Sequence, residues 1–124
     1  MRNGRFPRLA RAVRDYAVQY TDPIELTVGS LVSVERQDAE NPGWWWCVGP
    51  DARAGWVPAE LIEPDPAPGV HGRARSPHSA RELPVRCGES VFVLREVSGW
   101  LLLQNSHGTF GWAPATHVQY VAST

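Results

Sequence analysis

The sequence predicts an all-β protein made of two small, similar units, each a compact β-barrel. Two observations support this prediction. The 124-residue chain repeats itself once, and the apolar residues of each repeat follow the pattern of short strands. Self-similarity over about 50 residues is typical of two copies of one structural unit. A unit of that size buries only about 60% of the surface of its unfolded chain, so each would be marginally stable alone.

The repeat is clearest around the tryptophans. The segment GWWWCVGPDARAGWVPA (residues 43–59) matches GWLLLQNSHGTFGWAPA (residues 99–115), and in both of them 12 positions separate the first tryptophan from the Trp-(Val/Ala)-Pro-Ala motif. Upstream, IELTVGSLVSVER (residues 24–36) matches LPVRCGESVFVLR (residues 83–95). The match over two segments in the same order indicates duplication of a whole unit.

The elements of each repeat are predicted to be strands. The segments LVSVE, WWWCV, SVFVL and WLLLQ are short and rich in β-branched, aromatic or other apolar residues, and Gly and Pro punctuate the chain between them. Three prolines in EPDPAPG (residues 63–69) favour a stiff extended spacer. No helix longer than about one turn is expected. The predicted order is a basic N-terminal arm (1–11), a first barrel (12–63), a proline-rich linker (64–69) and a divergent second barrel (70–121).

Charge is spread unevenly, although the formal net charge is only −1. All twelve basic residues are arginine. Residues 1–14 carry five arginines and no acid, whereas residues 15–63 carry nine acids and two arginines. The acidic first unit should select basic partners. The arm is expected to lie loosely against that unit's acidic loops or to reach an acidic partner, since surface ion pairs are weak.

Several functional classes lack support in the sequence. The four histidines and two cysteines show no metal-ligand spacing, and no segment offers a nucleophile with an oriented base. We therefore expect neither enzyme activity nor a cofactor or metal. No apolar run approaches the roughly 20 residues of a membrane helix, and the arginine-rich start lacks the apolar stretch of a secretory signal. A cytoplasmic location with free thiols is expected.

Four segments resemble, in order and spacing, the signature segments of Src-homology-3 (SH3) domains, and they look most like the bacterial variants. They are AVRDY (12–16), IELTVGSLVSV (24–34), GWWWC (43–47) and GWVPAELIE (55–63). In that family a small five-stranded barrel binds proline-rich peptides in polyproline II form on an aromatic groove. The resemblance implies two tandem SH3-like barrels that act as a non-enzymatic interaction module or adaptor.

The resemblance also implies a peptide-binding site in the first unit. Trp44 takes the position of the groove tryptophan, with Tyr16 and Pro58 as the adjoining walls. Asp22 and Glu25 fall in the loop whose acids pair with an arginine of the ligand. Trp44 is accordingly expected to face solvent, with Trp45 and Cys47 directed to the opposite face. The expected partner is a protein or peptide that is basic, with or without a proline-rich sequence.

Departures from the family pattern limit this site. Arg14 and Leu61 replace two aromatic walls, so weak binding is expected. In the second unit the opening-segment positions are Arg73, Ala74 and Arg75, and only Trp100 and Pro114 keep groove positions. That unit is not expected to bind peptide in the familiar way. Two other functions remain open. The packed barrels could form a structural or regulatory subunit that docks on an enzyme or assembly. Nucleic-acid binding is the third, and the acidic first unit argues against it.

Overall fold

The computed structural model describes residues 6–66 and 71–122, which form an all-β fold, as predicted. Two five-stranded sheets and one two-stranded sheet make up this part of the chain. Its helical segments are two 3-10 turns, Ala59–Leu61 and Ala115–His117. The strands are β1 (Arg8–Ala12), β2 (Glu25–Leu26), β3 (Leu31–Gln37), β4 (Trp44–Val48), β5 (Ala54–Pro58), β6 (Ile62–Pro64), β7 (Gly72–Ala74), β8 (His78–Ser79), β9 (Ser90–Val97), β10 (Trp100–Gln104), β11 (Phe110–Pro114) and β12 (Val118–Tyr120).

The chain divides into two compact units that differ from the two linear halves predicted. One unit, here called the terminal unit, combines the described residues up to Gln19 with those from Glu82 onward. The other, the middle unit, is Tyr20–Arg81. The terminal unit therefore takes β1 from the first half of the chain, and the middle unit takes β7 and β8 from the second half. The predicted boundaries, 12–63 and 70–121, cut across this arrangement because they assign each opening segment to the strands that follow it directly.

The terminal unit contains an antiparallel sheet with the strand order β11-β10-β9-β1-β12. Strand β1 lies inside it, with Ala10 opposite both Val91 and Tyr120. Ala10 and Ala12 are buried and alternate with exposed Leu9 and Arg11, the two-residue period of a strand. The prediction of a loosely held arm is therefore wrong for residues 8–11, which belong to a strand between β9 and β12. Residues 1–5 of that arm lie outside the described part.

The middle unit contains a sheet with the strand order β5-β4-β3-β7-β6, together with the β2-β8 pair. Strand β7, which the sequence assigned to the second barrel, pairs with β3 and β6. Pro64 of the predicted linker ends β6, and Asp65 forms an ion pair with Arg73 at 2.5 Å. These contacts fix the first two residues of the predicted linker in the middle unit. The rest of the linker, residues 67–69, lies outside the described residues.

Both sheets keep the turn that the repeat predicts. Gly29 and Gly88 occupy equivalent places before β3 and β9 and have φ of +86° and +94°, a region that favours glycine. The strand order of each five-stranded sheet has two ends, so the hydrogen bonding among the described residues does not close either into the predicted barrel. In this part of the chain, we find no helix with the length and apolarity that a membrane crossing would require.

Candidate functional site

The structure divides the five predicted site residues between the two units. Tyr16 belongs to the terminal unit, whereas Asp22, Glu25, Trp44 and Pro58 belong to the middle unit. The tyrosine therefore has to be considered with the strands of the second half of the chain, and the acids with those of the first.

Tyr16 packs against the second repeat. Its ring meets Trp100 edge-on at a centroid distance of 6.1 Å, and it meets His117 edge-on at 5.5 Å. The phenolic hydroxyl donates a hydrogen bond to the carboxylate of Glu82, which is 7% exposed. The same carboxylate oxygen accepts the backbone N–H of Gln19 at 3.2 Å. These contacts fix the tyrosine ring on both of its edges.

A set of groove-type residues is thereby assembled in the terminal unit. Trp100 lies directly opposite Pro114 in the β10–β11 ladder. Trp100, Pro114 and His117 are half-buried, while Tyr16 is 9% exposed. We call these four residues the Tyr16–Trp100 surface. Sequence reasoning missed it because the segment before the second repeat, Arg73–Arg75, was compared with the opening segment of the family, and that segment belongs to the other unit.

Trp44 does not face solvent, and the prediction that it does is wrong. Its side chain is 3% exposed. Strand β4 is flanked by β3 and β5, Trp44 is opposite the fully buried Pro58, and the His78 ring of β8 lies 6.2 Å from the indole. Pro58 and His78 together thus cover Trp44, which the sequence predicted to be exposed.

The core-facing residues of the same strand are placed as predicted. Cys47 is fully buried, and Trp45 packs against the middle unit's core. Burial raises the pKa of the Cys47 thiol to about 12, and the nearby negative charge of Glu35 adds to the effect. The thiol is therefore neutral over the ordinary pH range and acts as a small apolar residue.

The two acids lie near an open depression of about 530 Å³ in the middle unit. Glu25, Arg53 and His78 line it, and the Glu25 carboxylate accepts a hydrogen bond from the Ser79 hydroxyl at 3.4 Å. Asp22 is 80% exposed, with its carboxylate 3.7 Å from the Arg53 guanidinium. This end of the unit offers carboxylates to a basic group.

Arg53 is the cation already present there. Its Nε donates to the Asp51 carboxylate at 2.8 Å, and that hydrogen bond lowers the pKa of Asp51. The same guanidinium approaches Asp22. An incoming arginine therefore meets a partly neutralised acidic loop, which weakens its electrostatic attraction.

A second aromatic group in the middle unit was not predicted as a site. Trp46 and Trp56 are opposite one another on β4 and β5, with ring centroids 5.1 Å apart. The Arg36 guanidinium lies 4.9 Å from the first centroid and 5.4 Å from the second, and the half-exposed Tyr20 ring is 5.3 Å from Trp46. The only sequence signal for this aromatic group is the two-residue spacing of Trp44 and Trp46 along one strand. The group already holds a guanidinium in cation–π geometry.

Comparison with known families gives one match. Residues 9–65 match the family model of the variant SH3 domain. The matched stretch begins in β1 of the terminal unit and runs through β2–β6 of the middle unit. The opening segment of the first repeat joins the later strands of the second repeat, and the opening segment of the second repeat joins the later strands of the first. Each unit therefore still holds one opening strand and the later strands of a single repeat. The resemblance predicted from the sequence is thus confirmed for residues 9–65, which match the variant SH3 domain family.

Proposed function

We propose that the protein is a non-enzymatic, cytoplasmic interaction module that binds peptide segments of partner proteins on the Tyr16–Trp100 surface. SH3-type domains generally mediate protein–protein interaction, and their ligands lie as polyproline II helices against aromatic walls. The observation that carries the proposal is the edge-on packing of Tyr16 with both the half-buried Trp100 and His117, with Pro114 opposite Trp100. That arrangement supplies flat apolar contacts at low cost in side-chain entropy, since the rings are already ordered.

Exposure favours this surface over the one predicted around Trp44. A peptide contact needs accessible area, and Trp44 and Pro58 have almost none. Truncation of Trp44 should therefore act through the loss of buried contacts, as core substitutions do, by about 3–5 kcal/mol of stability. Truncation of Trp100 should instead act mainly on ligand affinity.

The middle unit would provide the preference for basic segments. Residues 20–81 carry nine acids and five arginines, a formal charge of −4. Asp22 and Glu25 present carboxylates beside the depression. Elsewhere in the unit, the Arg36 guanidinium stacks on Trp46 and Trp56. For the middle unit the ligand we propose is an arginine-containing segment, with or without a proline-rich sequence. Two separate surfaces of different preference on one chain suit an adaptor.

The test is a titration of the full chain with a synthetic peptide that has prolines three positions apart and one terminal arginine. With only three aromatic walls and Pro114 in place, we expect a Kd in the micromolar range or weaker, about −8 kcal/mol or less in magnitude. Trp100→Ala should cost about 2 kcal/mol, a loss of roughly thirtyfold. Phe110→Ala, an exposed aromatic of the same unit, is the matched control and should leave affinity unchanged.

The preference of the middle unit is tested separately, with a short arginine peptide that lacks prolines and a second peptide that carries glutamine for arginine. Glu25→Gln should weaken binding of the arginine peptide only, and added salt should reduce the difference. Binding that survives Trp100→Ala but is lost in a folded Trp44→Ala variant would contradict the proposal and restore the site around Trp44. Absence of peptide binding in the wild-type chain would favour the structural or regulatory subunit.

A further inference from the structure

Two indole rings and a guanidinium meet on strands β3, β4 and β5 of the middle unit. Arg36 is opposite Trp46 in the register, and Trp46 is opposite Trp56, so the three side chains form one row on the same face. The two indole planes cross at 76°, and the guanidinium lies over both rings, 4.9 Å and 5.4 Å from their centroids. We call this arrangement the Trp46–Trp56 corner. The 46% exposed Tyr20 ring lies beside it, tilted against Trp46 at 5.3 Å.

Arg36 is held at the corner by the rings and not by an acid. In the part of the chain that the structure describes, its guanidinium forms no ion pair. The Asp38 carboxylate, two residues further along, accepts the backbone N–H groups of Glu40 and Asn41 instead. The Arg36 side chain is also exposed. Because a cation over exposed aromatic rings is only weakly bound, a second cation can take its place.

The corner is linked to the depression of the same unit through His78. Trp44 and Trp46 are two residues apart on β4 and point to the same face. The His78 ring, which lines the depression, lies 6.2 Å from the Trp44 indole, and its Nε2 is 2.9 Å from the Trp56 carbonyl oxygen. The unit carries nine acids and five arginines, a formal charge of −4. A cation that approaches the depression is therefore attracted toward the corner as well.

The second repeat does not reproduce the corner. In the aligned segments GWWWC and GWLLL, Leu102 takes the place of Trp46, although Arg95 matches Arg36. A leucine offers a cation no aromatic face. The two-indole arrangement therefore belongs to the middle unit, and Trp46→Leu replaces the indole with the residue type that the other repeat has at that place.

We infer that Arg36 is a built-in competitor, which occupies the Trp46–Trp56 corner in the free protein and is displaced by the arginine of a ligand. The inference rests on the proposed preference of the middle unit for arginine-containing segments. The ligand's guanidinium stacks where that of Arg36 lay, while the carboxylates of Asp22 and Glu25 attract its charge. The competition lowers the affinity for the ligand by about two- to fivefold, which corresponds to the roughly 0.5–1 kcal/mol of a cation over exposed rings.

The experiment titrates the short arginine peptide without prolines, and its glutamine counterpart, into the full chain. Arg36→Ala should bind the arginine peptide about two- to fivefold more tightly than wild type, and Trp46→Leu should bind it more weakly by a similar factor. Arg75→Ala is the matched control and should change the affinity much less, because it removes another exposed arginine of the same unit and leaves the corner intact. In NMR spectra of the wild type, only the arginine peptide should move the ring-shifted Nε–H and Hδ resonances of Arg36 toward those of a free arginine.

Three results would overturn the inference. Equal strengthening by Arg36→Ala and Arg75→Ala would show a general effect of charge. Arg36 resonances that stay ring-shifted at saturating peptide would show that its guanidinium never leaves the corner. If Glu25→Gln weakens binding and a Trp46→Leu variant that is folded by circular dichroism does not, the proposed preference of the middle unit stands and the inference alone fails. If neither wild type nor Arg36→Ala binds the arginine peptide, the preference and the inference both fail.

Discussion

The placement of Tyr16 in the terminal unit predicts how loss of the Tyr16 hydroxyl group changes the stability of the protein. Tyr16→Phe removes the hydrogen bond that Tyr16 donates to the buried Glu82 carboxylate and leaves the ring contacts with Trp100 and His117 in place. A hydrogen bond to a charged group contributes about 1.5–3 kcal/mol, and the Gln19 N–H remains as a donor to the same oxygen. We expect a loss of about 2 kcal/mol in the free energy of unfolding.

The location of that loss is the stronger test. Residue-resolved hydrogen exchange should show weaker protection in β9, β10 and β12, the strands of the terminal unit, with β3–β5 of the middle unit unaffected. If Tyr16 instead belonged with the strands that follow it, protection would fall in β3–β5 and remain in β9–β12. That outcome would refute the exchanged arrangement, and with it the Tyr16–Trp100 surface.

Two further substitutions test the middle unit. A Cβ on Gly72 would lie 2.3 Å from a methyl carbon of Ile62, so Gly72→Ala should lower the free energy of unfolding by about 1–3 kcal/mol in urea denaturation, and an unchanged midpoint would contradict the β6–β7 pairing. The pKa of Cys47 is raised from 9.0 to about 12, so its contribution to stability is complete below about pH 9 and is lost as pH rises toward 12, at most about 4 kcal/mol. Wild type should therefore lose more stability than Cys47→Ala between pH 8 and 11, and parallel pH curves would show that the thiol is not buried.

The elements of the fold were predictable because they depend on local patterns. Alternating apolar residues and punctuating glycines gave the strands, and the aligned Gly29 and Gly88 both adopt the positive φ that their turns require. The pairing of β1 was not predictable in the same way. Ala10 and Ala12 show the two-residue period of a strand, but that period is equally compatible with β3 or β9 as the partner. Local propensity fixes a strand and its buried face, whereas the choice of neighbour depends on packing across more than 60 residues.

The error in the predicted site comes from the unit to which the opening-segment tyrosine was assigned. Trp44 and Trp100 hold equivalent places in the two repeats, and the sequence ranked Trp44 higher because the tyrosine of the opening segment precedes it by the family's spacing. In the structure that tyrosine packs against Trp100, and the ring that lies next to Trp44 is that of His78. The predicted grouping of Tyr16 with Trp44 is therefore wrong, and a peptide groove in either unit stays a prediction.

The exchange also accounts for the apparent divergence of the second repeat. Its mismatch with SH3 domains was concentrated in the opening segment, around Arg73–Arg75, whereas Trp100 and Pro114 matched well. In the structure that mismatched segment provides β7 of the middle unit, where Trp44 is buried and no open aromatic groove is needed. The well-matched opening segment provides β1 and Tyr16 to the terminal unit. Each repeat thus departs from the family pattern only when the chain is divided in sequence order. Divided as it folds, one unit keeps the residue types of a peptide groove and the other keeps the acidic loop.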